Sequence, residues 1–190
     1  MSVGDRIRDG LVSLARTAEA TSALAPDVAA LAARYVAVLT GGGTLFFAGN
    51  GGSAADAQHL ATEYVVRFRR TRRPFRAVAL TTDSSLLTAA ANDMGFEQIF
   101  ARQVDALCRP GDLLILHSTS GASDNLLAAA RAARANGVAV AAFLGRDGGP
   151  LRALVDVAIV VPSDDTSRIQ ELHLALEHLI VEAVEEELGQ

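Results

Sequence analysis

Leu45 to Glu63 reads LFFAGNGGSAADAQHLATE and changes character twice. Leu45, Phe46, Phe47 and Ala48 form an apolar run too short for a helix, and it stops at Gly49-Asn50-Gly51-Gly52-Ser53, the composition of a sharp turn. The run is therefore expected to be a buried strand. Ser53 is a favourable N-cap residue, and the alanine-rich stretch after it, with Asp56 in its first turn, begins a helix. Strand, glycine loop, helix is the resulting unit.

Glycines at such a junction let a ligand approach the backbone, and the unpaired N–H groups of a helix start favour an anion. The loop is not a Walker loop, because no lysine follows the glycines, and GNGGSA lacks the spacing of GxGxxG. A plain tight turn explains the glycines equally well. One feature favours chemistry: His59 and Glu63 stand at i and i+4 and so project from one helix face.

Composition narrows the field. A chain of 190 residues, 50% of them hydrophobic, can form a single domain with a substantial core. Cys108 is the only cysteine, which leaves no disulfide framework and suits a reducing compartment. Charges interrupt the first fifteen residues as they would not in a secretory signal, and no window reads as a membrane span, so a soluble cytoplasmic protein without membrane partners is expected. The net charge of −5 argues against general nucleic-acid binding. Every basic residue is arginine; the absence of lysine excludes Schiff-base chemistry and a P-loop lysine.

In chain order, Ile7, Leu11 and Leu14, then Val28, Leu31, Tyr35, Val38 and Leu39, recur at helical spacing, with Pro26 opening the second helix and Gly41-Gly42-Gly43 closing it. This pair, residues 1–42, could pack on a partner subunit or on its own domain. Arg67, Arg69, Arg70, Arg72, Arg73 and Arg76 crowd around Pro74, either as a solvated loop or subunit contact, or as a phosphate clamp or partner surface. Further strands are expected at Ala77–Leu80, Leu113–Leu116, Val138–Leu144 and Val155–Val161. Helices are expected from Thr82 to Ala91, ended by Asn92-Asp93, from Gly95 to Leu107, from Asp124 to Asn136 and from Thr166 to about Leu188.

Strands that are nearly continuous apolar runs, alternating with helices, indicate an α/β fold: a three-layer, doubly wound, five-stranded parallel sheet, order 2-1-3-4-5, with two helices ahead of it. In that order strands one and three meet at the switch point, so Gly49–Ser53 and Ser118–Ser123 open into one crevice. The second loop, Ser118-Thr119-Ser120-Gly121-Ala122-Ser123, offers hydroxyls and a helix start, suited to phosphate or to simple turn capping.

GNGGSAADAQH, AND, STSGxS and RIQExH, in that order, resemble the sugar isomerase (SIS) domain family and, within it, the phosphoheptose isomerases, which interconvert sedoheptulose 7-phosphate and D-glycero-D-manno-heptose 7-phosphate. The likeness runs from about Leu24 to Leu188 and implies a single SIS domain over 1–190, a homotetramer with active sites at subunit interfaces, and zinc in several members. It implies that Asn50, Gly51, Gly52, Asn92 and Asp93 contact substrate, that Ser118, Thr119, Ser120 and Ser123 hold its phosphate with Ser53, and that Glu63 and His178 carry the proton transfers. A metal would sit on His59, Glu63, Gln170 and His178. The chemistry is self-consistent: ketose–aldose exchange through an enediol needs a carboxylate to move a proton between adjacent carbons and an acid or metal to polarise the oxygens, with no redox or nucleotide cofactor.

Spacing and resemblance part company in the last helix. His173 and Glu177, at i and i+4, look like a better ligand pair than Gln170 and His178, which lie about 80° apart around the helix. The resemblance selects His178 and leaves His173, like His117 at a strand end, a structural reading. Thr62 and Ala122 depart from the family pattern and leave the exact sugar open among ketose phosphates. A second branch of the family binds the bacterial replication initiator without catalysis; the presence of both Glu63 and His178 favours an enzyme.

Overall fold

The computed structural model describes residues 1–189. Its helices are α1 (Val3–Thr21), α2 (Ala25–Thr40), α3 (Gly52–Val65), α4 (Ser84–Met94), α5 (Ala101–Leu107), α6 (Asp124–Ala135) and α7 (Thr166–Leu188). Five strands, β1 (Leu45–Gly49), β2 (Ala77–Ala79), β3 (Leu113–Ser118), β4 (Ala139–Gly145) and β5 (Val157–Val161), form one sheet.

The sheet is parallel throughout, in the order β2-β1-β3-β4-β5. Alternate residues of each strand supply two cores. Phe47, Ile115, Phe143 and Ile159 face α2, α3 and α7. Phe46, Leu114, Leu116 and Leu144 face the other way, toward α5 and α6. Because helices cover both faces, an inward–outward alternation of polarity would leave polar groups buried, which is why these strands read as unbroken apolar runs.

Local differences from the sequence reading have physical causes. Gly51, not Ser53, occupies the N-cap of α3; at φ 57° and ψ −121° it holds a backbone conformation that side chains disfavour, and Ser53 lies buried inside the first turn. Helix α4 runs through Asn92 and Asp93 and ends at Gly95, at φ 98°. The single helix expected over Gly95–Leu107 is a 3-10 turn, Phe96–Gln98, followed by the short α5. Strand β5 begins at Val157, two residues later than expected.

The helical run Val3–Thr40 is long and apolar enough, by length and composition, to cross a membrane, contrary to the expectation of no such window. In the fold its second half has another use for that apolarity: Val28, Leu31, Ala32, Tyr35 and Leu39 are buried against the sheet and α7.

Candidate active site

Parallel pairing sets Gly49 beside His117, so the turns that leave β1 and β3 open next to each other at the carboxyl edge of the sheet. Two asparagines join them. Asn50 Nδ2 donates to Asn125 Oδ1 at 2.9 Å, and Asn125 Nδ2 donates back to Asn50 Oδ1 at 2.8 Å. A polar cleft of about 400 Å³ lies over this pair, bordered by Asn50, Ser123, Asn125, Phe96 and Glu97.

The serine loop is shaped by its own hydroxyls. Ser118 Oγ accepts the Gly121 N–H at 3.0 Å and Ser120 Oγ accepts the Ala122 N–H at 3.3 Å. Both oxygens have thereby filled an acceptor position and keep their O–H for an incoming anion. Ser123 occupies the N-cap of α6 with no side-chain capping bond. Its hydroxyl and the first amides of α6 therefore make an anion-compatible surface. Thr119 is half-buried in the same loop.

The row continues between α3 and α7. Gly52 abuts the Gln170 side-chain amide, where even a Cβ would collide with it. Gln170 Nε2 in turn donates to Asp56 Oδ2 at 3.4 Å. Burial pushes the Asp56 carboxyl above its usual range, against the pull of the Gln170 bond and the nearby imidazoles.

Beyond it, His59 Nε2 lies 3.0 Å from His178 Nε2 and 3.3 Å from Glu63 Oε1, and His178 Nε2 lies 3.7 Å from Glu63 Oε2. Suitable ligand atoms of these three residues all fall within 4.8 Å of one another. Glu63 Oε2 is buried and has no hydrogen-bond partner. Burial raises the Glu63 carboxyl above its usual range, while His178 and His59 oppose the shift.

Asn92 and Asp93 stand apart from this row. They are exposed on the last turn of α4, with Asn92 Nδ2 donating to Asp93 Oδ1 at 2.7 Å, and the cleft wall near Asn50 comes from Phe96 and Glu97 instead. Asn125 and Asp56 escaped the sequence reading. Asp56 lies one turn before His59 on the same helix, a spacing that could have flagged it.

The competing pair from spacing is internal. His173 is fully buried, with Nε2 3.0 Å from the Leu144 carbonyl, and burial pushes its imidazole down to about 3. Glu177, also fully buried, accepts the Tyr35 hydroxyl at 3.0 Å and lies 3.3 Å from His117 Nε2. His117 stacks on Phe143, with ring centroids 5.3 Å apart. These are core contacts beneath the site.

The arginine-rich stretch is bound to its own domain more than a solvated loop would be. The Arg72 side chain is buried, with Nε 3.0 Å from Glu185 Oε1, and donates to the carbonyls of Glu63 at 2.8 Å and Tyr64 at 2.9 Å. Arg69 pairs with Glu182 and Arg76 donates to Thr44 Oγ1.

Two anion-compatible turns at the switch point of a doubly wound sheet, with a carboxylate–imidazole group on the adjoining helices, are suited to an anionic metabolite and to acid–base work on it. A model of the SIS domain matches residues 12–145, and the chain belongs to the SIS domain family, on its phosphoheptose isomerase branch. The phosphoheptose isomerase of Roseiflexus sp. (strain RS-1) is 54% identical over 164 residues, covering 86% of this chain and 83% of that protein. That of Akkermansia muciniphila is 44% identical over 186 residues, covering 98% of each. Among solved structures, the phosphoheptose isomerase of Francisella tularensis superposes with a TM-score of 0.95 at 36% identity, over 98% of this chain and 100% of that one.

Proposed function

We propose that the protein is an aldose–ketose isomerase that interconverts D-sedoheptulose 7-phosphate and D-glycero-D-manno-heptose 7-phosphate. The convergence of Glu63 with His59 and His178 carries this reading, in a chain whose relatives at about half identity are named phosphoheptose isomerases. A binding module for the replication initiator would have no use for such a group.

In this reading Ser118, Thr119, Ser120 and Ser123, with the first amides of α6, hold the phosphate. Asn50, Gly51 and Gly52 line the sugar, with Gln170 over Gly52, and the wall that the sequence assigned to Asn92 and Asp93 is supplied by Phe96 and Glu97. Ser53, buried, supports the turn from beneath. Glu63, whose carboxyl burial makes more basic, moves the proton between C1 and C2, and His178 exchanges a proton with the sugar oxygens.

His59 Nε2, His178 Nε2 and the orphaned Glu63 carboxylate oxygen suit zinc, which takes nitrogen and oxygen donors and in catalytic sites keeps three protein ligands and an open position. Gln170 is the candidate fourth donor, in which case the sugar oxygens would take a fifth position. Zinc bound there would supply Lewis acidity toward the sugar oxygens.

We also infer a homotetramer in the cytoplasm with sites completed at subunit contacts. Ile7, Leu11 and Val12 are exposed along α1, and an apolar groove of about 470 Å³ runs between Val28, Ala29 and Ala32 on α2 and Leu172, Leu176 and Leu179 on α7. Turnover of a panel of C5 to C7 ketose phosphates tests the reading. Conversion of sedoheptulose 7-phosphate is expected; phosphate-dependent binding without turnover of any member would overturn it.

A further inference from the structure

The segment leaving α3 doubles back onto α7 and is held there by a buried carboxylate. Glu185 Oε1 accepts the Phe68 N–H at 2.8 Å, and Oε2 accepts those of Arg69 at 2.8 Å and Arg70 at 3.0 Å. Arg72 lies against the same carboxylate, with both side chains almost fully excluded from solvent. A carboxylate placed in a row of backbone donors fixes the path of those residues, since any shift would leave the buried Glu185 carboxylate short of its donors. Arg72 extends the hold to the other helix by taking the carbonyls of Glu63 and Tyr64, at the end of α3.

That segment presents one ring to the site. Phe68 lies nearly parallel to the His178 imidazole, at 16° and 5.4 Å between centroids, while His59 meets the same imidazole edge-on at 65° and 5.3 Å. Arg69 sits over the Phe68 ring at 5.1 Å and pairs with Glu182. His178, Glu182 and Glu185 fall at i, i+4 and i+7, one stripe of α7. The stripe that carries His178 therefore also holds the segment whose ring faces it.

We propose that Phe68 is a positioning residue for His178, setting the plane of its imidazole so that Nε2 faces Glu63 and His59, and that Glu185 with Arg72 is the clasp that holds Phe68 in place. The proposal rests on the isomerase reading for its kinetic consequence and on geometry alone for the ring contact. It separates two kinds of residue in the arginine-rich stretch: those that hold the segment down and Phe68, which the segment exists to present.

Phe68→Leu, Phe68→Tyr, Glu185→Gln and the double variant Phe68→Leu/Glu185→Gln test this. Phe68 is only partly buried, so its variants are expected to fold. The ring protons of His178, identified among the four histidines by their loss in His178→Gln, feel the ring current of Phe68. Their nuclear Overhauser contact with the His59 ring protons, which loss of the Phe68 ring current does not itself alter, is expected to weaken in Phe68→Leu and Glu185→Gln and to persist in Phe68→Tyr. With sedoheptulose 7-phosphate, Phe68→Leu and Glu185→Gln are each expected to lower kcat about 10-fold at nearly unchanged KM, Phe68→Tyr to retain it, and the double variant to match the weaker single, since misplacing a catalytic group is felt in the chemical step. An unchanged His59–His178 contact in Phe68→Leu, or a kcat loss that Phe68→Tyr shares, would overturn the proposal. If the unmodified protein turns over no sugar phosphate, the isomerase reading fails and the His59–His178 contact alone decides the positioning claim.

Discussion

Asn50 and Asn125 exchange two side-chain hydrogen bonds, of 2.9 and 2.8 Å, across the junction of β1 and α6. The pair ties the glycine turn to the first turn of α6, a side-chain link added to the β1–β3 pairing that sets the two anion-compatible surfaces side by side.

Asn125→Ala is expected to raise KM for the sugar phosphate about 10-fold while changing kcat less, because it frees one turn relative to the other. It also leaves a half-buried amide without its partner, at about 1–3 kcal/mol. Steady-state kinetics beside urea unfolding would separate the two effects, and an unaltered KM would count against the coupling of the loops.

Glu63→Gln keeps the volume and removes the base. Turnover should fall by about 10²–10⁴, the range a positioned proton acceptor supplies, with the melting temperature preserved. Residual activity above a tenth of the original would shift the base to another residue.

Metal dependence is checked by chelation and elemental analysis. About one zinc per chain is expected, falling in both His59→Ala and His178→Ala, whose lost nitrogens lie 3.0 Å apart. Full activity of metal-free protein would remove zinc from the scheme.

Acid sensitivity should trace in part to His173, whose imidazole burial pushes down to about 3 from an ordinary value of 6.5. Its folded form binds a proton less readily than its unfolded form. The stability it confers is complete above pH 6.5 and declines as pH falls toward 3, by about 1.4 kcal/mol per pH unit over that window. His173→Gln should flatten the decline in unfolding free energy between pH 6.5 and 5.5; an identical slope would mean that other groups set it.

Much of the fold was legible because its signals are local. Leu45–Ala48 and Leu113–Leu116 announce themselves by composition, and their alternation with helical periods implies a parallel sheet covered on both faces. Ser53 misled because N-cap preference describes side-chain capping, whereas this turn needs the positive φ that Gly51 provides. Asn92-Asp93 suggested a helix end by composition, yet α4 continues until Gly95. Within α7, spacing pairs His173 with Glu177 but cannot say which face is buried; packing against β4 and α2 decides that. Contacts such as Glu185 with the Phe68–Arg70 backbone join residues more than a hundred positions apart, and no periodicity records them.

Glu177 and His178 are consecutive, one locked to Tyr35 and lying against His117 in the interior, the other facing Glu63. Their shared backbone means that the interior and the reacting groups cannot be adjusted independently. Attempts to broaden the accepted sugars should therefore leave α7 intact and vary the cleft wall at Phe96, Glu97 and Ala122, where replacement disturbs neither the buried acid nor the imidazole beside it.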